Sequence, residues 1–201
     1  MAWVAPEVSV PWAEIELSED MPEQGAGSRV FVATYRGQHV AVRQVAQGNE
    51  DQALTEVQIT KKLHALSANS QQHPNVLMIH GVTLHRGVVL RVAEVMVLGG
   101  INEWAWHTDL HGKANPNSRY DELQVVDVVQ LALDAATGLA HMEVNGFAHR
   151  DVACQNILCS ADLDGEGQLQ RGPDGRIVGL RACIADCCEL THCAFACLQL
   201  S

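Results

Sequence analysis

His149-Arg150-Asp151-Val152-Ala153-Cys154-Gln155-Asn156 sets a carboxylate and a carboxamide five residues apart, between a long helical pattern and a short apolar run. Upstream, Leu123, Val126, Val129, Leu133, Ala136 and Ala140 recur near helical spacing, which predicts a helix from Tyr120 to Val144. Ala135, Ala136 and Gly138 are small enough to let that helix pack closely. Downstream, Ile157-Leu158-Cys159 predicts a short strand. His, Arg, Asp and Asn in this order, after a long helix and before Ile-Leu, are improbable by chance.

The bulk numbers describe an ordinary folded protein. The chain has 201 residues, 47% of them hydrophobic, enough for a substantial core in one domain or two. Thirteen Lys and Arg face 24 Asp and Glu, a formal net charge of -11. That balance disfavours nucleic acid and anionic membranes as partners, because both need a basic surface. Nucleotide binding is still open, since a few local groups and a metal ion decide the field there. Met1 to Val10 shows no basic region followed by an apolar core, unlike a signal peptide. The longest apolar run, Val88 to Gly100, is broken by Arg91 and Glu94 and falls short of a bilayer span. The expectation is a soluble cytoplasmic protein with no membrane span. Five of the seven cysteines lie between Cys183 and Cys197, without the even pairing of a secreted scaffold or the C-x-x-C knuckles of a zinc site.

In the first half, Arg29 to Tyr35 and Val40 to Val45 predict a hairpin around Arg36-Gly37-Gln38-His39, led by Gly25-Ala26-Gly27. Asp51 to Leu66 predicts a helix with Leu54, Val57, Ile59, Leu63 and Leu66 on its apolar face. Ser67 to Pro74 reads as a loop. Val76 to Leu84 and Val88 to Val97 predict two more strands around His85-Arg86-Gly87, and Gly99-Gly100 marks a hinge and domain boundary. Ser160 to Arg176 is polar and rich in Gly and Asp, which predicts a surface loop before the apolar stretch Ile177 to Ala185.

Taken together these segments resemble the protein kinase superfamily, closest in pattern to tyrosine kinases and tyrosine-kinase-like kinases. Residues 149–156 resemble the catalytic loop H-R-D-L-x-x-x-N, which implies that Asp151 is the base orienting the substrate hydroxyl and Asn156 a magnesium ligand. Ala153 is similar to the tyrosine-kinase form H-R-D-L-A-A-R-N, whereas Gln155 departs from it and leaves Ser/Thr versus Tyr open. Gly25-x-Gly27 resembles the start of the glycine-rich loop, with Val30 in place of the third glycine and Val32 at the position that covers adenine. Val40-Ala41-Val42-Arg43 resembles V-A-I-K, with Arg43 at the position of the phosphate-binding lysine. Glu56 matches the helix glutamate that pairs with this cation, at a shorter separation than the family usually shows. His73-Pro74-Asn75-Val76 resembles H-P-N-I, and Ala93 to Gly100 the hinge, with a small gatekeeper at Ala93 and backbone near Glu94 to Met96 meeting adenine. Ala41 would line the same adenine site. Asp186 resembles the metal-binding Asp of D-F-G, followed here by Cys187 and Cys188.

The resemblance implies an α+β, bilobal, protein-kinase-like fold, with a small β-rich lobe at 11–97 and a partial helical lobe at 98–201. ATP and Mg2+ would sit between them, and the γ-phosphoryl group would pass to a protein Ser, Thr or Tyr hydroxyl. Val30, Arg43 and Cys188 predict low activity, so a catalytically impaired module that binds a protein partner is the alternative. The chain stops fifteen residues after Asp186, short of an A-P-E motif and the helices beyond it. That predicts an incomplete C-terminal lobe, from a fragment, a partner-covered relative or a poorly folding chain, with apolar surface exposed on the helix from Tyr120 to Val144. A bland acidic globular domain is the remaining option.

Overall fold

Arg36-Gly37 and Arg86-Gly87 take left-handed backbone, with φ of 50° and 77° and of 48° and 80°. Two successive residues of this kind match the twist of a tight hairpin. They join β2 (Val30–Tyr35) to β3 (Gln38–Gln44) and β4 (Ile79–His85) to β5 (Val88–Glu94). With β1 (Ile15–Leu17) these strands form a five-stranded antiparallel sheet in the order β1-β2-β3-β5-β4. The computed structural model describes residues 6–18, 30–67, 72–105, 115–116 and 118–186.

Between the hairpins runs helix α1 (Glu50–Ala65). Its Val57 packs with Leu77, Ile79, Val82 and Val89 of the first sheet's core. Ile59 and Leu63 instead pack with Val76, Ala135, Met142 and Ile184. One helix therefore belongs to two apolar clusters. The predicted face is right for Val57, Ile59 and Leu63, but Leu66 caps the helix and is half exposed, while Glu56, Thr60 and His64 are buried.

A second sheet has the order β6-β7-β8, from β6 (Gly99–Gly100), β7 (Ile157–Ser160) and β8 (Arg181–Ile184). Gly99-Gly100, expected as a hinge, thus pairs with Leu158 and Cys159, ahead of the short helix α2 (Ile101–Trp104). β8 also binds the segment after His73-Pro74: Leu77 donates to the Ile184 carbonyl at 3.0 Å, and Ile184 to that of Asn75 at 3.0 Å.

The long helix, α3 (Val125–Val144), begins five residues later than predicted, after a 3-10 turn at Tyr120–Glu122. Gln124 and Asp127 form a reciprocal capping box that sets this start. Its inward face is not the one read from the apolar spacing. Leu131, Ala135, Gly138 and Met142 are buried, with Asp127 and Asp134, whereas Val129 and Leu133 are 58% and 59% exposed and Ala136 and Ala140 also face outward. The reason is hydrogen bonding. Asp134 accepts the Ala182 backbone N–H at 3.0 Å, and Asp127 accepts the Arg171 guanidinium at 3.2 Å. These contacts recruit the polar face of α3 to β8 and to residues 160–176, which are held by bridges at Leu163–Leu169 and Arg171–Ile177. Among the described residues α3 alone is long and apolar enough to cross a membrane by length and composition.

Candidate active site

Sheet pairing and loop geometry bring several of the candidate residues to one cleft of about 660 Å3, whose lining does not include Asp151, Glu56 or Val32. Ala41 and Arg43 of β3 line it, as do Glu94, Met96, Asn156 and Asp186. Val32 pairs with Ala41, and Val30 with Arg43, so both valines share the face of β2 that turns toward the cleft. Val30 contributes to the lining and Val32 is 46% exposed. Gly25, Gly27, Cys187 and Cys188 lie outside the described residues.

The loop before β7 is held from within. Asn156 donates its amide to the Asp151 carboxylate at 3.0 Å and to the Asp151 carbonyl at 2.9 Å. His149 accepts the Asp151 N–H on Nδ1 at 3.3 Å and contacts the Ala185 carbonyl through Nε2 at 2.8 Å. That pattern assigns the proton to Nε2. Ala185 in turn donates to the Asn156 carbonyl at 2.9 Å. Five hydrogen bonds thus tie His149, Asp151, Asn156 and the residue preceding Asp186 into one assembly, although His149 and Ala185 are 36 residues apart. Arg150 and Asp186 have left-handed backbone, φ 63° and 55°, outside any hairpin turn. Such conformations cost energy in non-glycine residues and concentrate at functional sites.

Glu56 does not pair with Arg43. The structure gives that partner as Arg91, whose Nη1 contacts Glu56 Oε2 and reaches Asp186 Oδ1 at 2.9 Å. Arg43 approaches the other oxygen of Asp186 at 3.9 Å. Strand register explains the substitution: Arg43 and Arg91 are directly opposite on β3 and β5, so either can project under the sheet toward α1. Arg91 lies two residues from Ala93 on the same face of β5, and its ion pair with Glu56 is buried. Arg91 was missed in the sequence reading, although it is a charge in the middle of an apolar strand.

Electrostatics follow from this burial. Burial pushes the Glu56 carboxyl above its usual range, and Arg91 opposes that only in part. For Asp186 burial also pushes upward, but Arg91, and then Arg43, outweigh it and hold the carboxyl below the usual range. The thiols of Cys159 and Cys183 are pushed up to about 12, chiefly by burial, so neither acts as a nucleophile near neutral pH.

The hinge is partly committed elsewhere. Glu94 donates its N–H to the Met78 carbonyl at 2.9 Å, and the Met96 carbonyl accepts from Gly99 at 2.9 Å. The Glu94 side chain accepts the Met78 N–H at 2.8 Å and pairs with Arg181 of β8. The Glu94 N–H and the Met96 carbonyl are thus engaged within the protein.

A magnesium ion fits this donor set poorly. Such an ion needs near-octahedral oxygen ligands, yet Asp186 already accepts Arg91 on one oxygen and has Arg43 at 3.9 Å from the other, whereas Asn156, with its amide nitrogen on Asp151, keeps its side-chain oxygen as a donor. No group of three or more His, Cys, Asp or Glu able to hold a metal occurs among the described residues.

A five-stranded antiparallel sheet with one helix against it, and a loop presenting Asp151 and Asn156 beside Asp186, define an α+β protein-kinase-like domain. Known proteins agree. A family model described as protein tyrosine and serine/threonine kinase matches residues 16–166. A probable serine/threonine-protein kinase of Dictyostelium discoideum is 25% identical over 149 residues, 74% of this chain and 10% of that protein. Dual specificity testis-specific protein kinase 2 of Homo sapiens is 28% identical over 154 residues, 73% of this chain and 24% of its own length. Protein-tyrosine kinase 6 of Mus musculus is 29% identical over 140 residues, 67% and 27% of the two chains. The chain belongs to the protein tyrosine and serine/threonine kinase family. It spans 27% or less of the length of each of these three relatives.

Proposed function

We propose that this chain is a nucleotide-binding kinase domain of low catalytic power, with ATP in the cleft between lobes at 11–97 and 98–201. The observation that carries the reading is the hydrogen-bonded pair of Asp151 and Asn156, tied through Ala185 to Asp186, which meets the arginines of β3 and β5. Apolar walls from Val30, Ala41 and Leu158 suit a base, and Arg43 and Arg91 suit phosphates. ATP, when bound, would supply the γ-phosphoryl group for a protein hydroxyl. The chain's part is to orient that hydroxyl through Asp151, whose carboxylate Asn156 holds in place. Low power follows because Asp186 is already neutralised by arginine and contributes less to a metal ion.

The exposed valines and Leu133 of α3 favour a second reading, a protein-interaction module. We read α3 as an element of the fold and not as a membrane span, because Asp127 and Asp134 bind Arg171 and Ala182 through it. The test uses the whole chain with ATP and magnesium. ATP should raise the melting temperature, with phosphoryl transfer well below the roughly 1–100 per second usual for kinases. Transfer in that range, abolished by Asp151→Asn, would overturn low power. An unmoved melting temperature would remove the nucleotide.

A further inference from the structure

We propose that Arg91 takes the electrostatic place of a divalent metal ion at the phosphate end of the cleft, so that ATP binding by this chain is metal-independent. The proposal rests on the nucleotide reading above. Among the described residues four charged side chains meet there: Arg43, Arg91, Glu56 and Asp186. Two positive and two negative charges leave the cluster neutral. With an apolar residue at 91 the same cluster would be one charge negative and would attract a cation. Arg91 removes that attraction and places a positive charge where a metal ion would have to settle.

The device is permanent. A guanidinium does not lose its proton in a protein, and Arg91 is 8% exposed, anchored on both sides by carboxylates. It also lines the cleft together with Arg43, so a polyphosphate entering there meets two arginines on adjacent strands. Arginine is well suited to phosphate oxygens because its planar fork offers several donors. A metal ion approaching Asp186 would have to displace the 2.9 Å contact with Arg91 or lie beside two like charges.

Calorimetric titration of the whole chain with ATP, in magnesium and in chelator, tests this, with adenosine as a phosphate-free control. The two ATP affinities should differ by less than about threefold. In the double variant Arg91→Leu/Glu56→Gln, which leaves no unpaired buried charge, metal-free ATP affinity should fall at least about tenfold while adenosine binding persists. Circular dichroism melting confirms that the variant is folded, and the wild-type comparison stands whether or not it is. ATP binding by the wild type that needs magnesium by about tenfold or more would overturn the proposal and leave the nucleotide reading intact. Metal-free binding undiminished in the folded double variant would also overturn it. If neither ATP nor adenosine binds, the nucleotide reading fails first and the proposal with it.

Discussion

Arg43 and Arg91 stand directly opposite each other across β3 and β5, a like-charged pair that is destabilising unless something compensates it. Glu56 and Asp186 do so. Removing Arg91 alone should therefore be costly: Arg91→Leu strands Glu56 as a buried, unpaired carboxylate, and we expect a loss of about 3–5 kcal/mol in urea unfolding. Arg91→Leu/Glu56→Gln should recover most of it. Histidines add a pH term. His64 accepts the His73 N–H on Nδ1 at 2.9 Å, and its Nε2 faces the Leu77 carbonyl at 3.3 Å, so the neutral ring fills both sites. Burial, before any other cause, lowers the pKa of His64 and of His73 below the ordinary histidine value. The unfolded chain then takes up protons first as pH falls. Stability from these groups is fully present above about pH 6.5 and declines below it. The urea midpoint should drop between neutral and mildly acidic buffer, and His64→Gln should flatten that drop.

At the scale of elements, α3 shows how side-chain hydrogen bonds override apolar spacing. Its apolar residues are spread so widely around the helix that periodicity alone did not select a buried stripe. Two aspartates selected it, by binding Ala182 and Arg171. Gly138 marks the closest approach: a Cβ there would collide with the Asn75 carbonyl oxygen and crowd Ile184. Gly138→Ala, favourable in an open helix, should here destabilise by about 1–3 kcal/mol by calorimetry. The hairpins behaved differently. Their turns, at Arg36-Gly37 and Arg86-Gly87, lie inside the segments expected from sequence, because glycine at the second position is a local requirement of the tight turn, but Gln38, His39 and His85 belong to the strands. Residues 160–176 were expected as a loop on composition. They are that, with two local bridges and a guanidinium anchored on Asp127, a contact between residues 44 apart that composition does not encode.

Across the whole molecule, α1 and β8 join the two halves of the core. Val57 faces one cluster and Leu63 the other, and Ile184 meets both α3 and the segment around Asn75. Positions on α3 should therefore differ sharply although their residues are alike. Leu131→Ala, at 2% exposure, should cost about 2–5 kcal/mol. Leu133→Gln, at 59% exposure, should remain within about 0.5 kcal/mol, both read from chemical denaturation. The amino-acid sequence by itself determined the two hairpins, helices α1 and α3, the short strand β7 and the family, since these depend on local pattern and on motif spacing along the chain. It also placed Asp151, Asn156 and Asp186 as one set, by resemblance. Only the tertiary structure decided which cation meets Glu56, which face of α3 is buried, and how Asp186 is neutralised. Each of those is a competition between groups brought together by folding, and its winner is set by distance and burial in three dimensions.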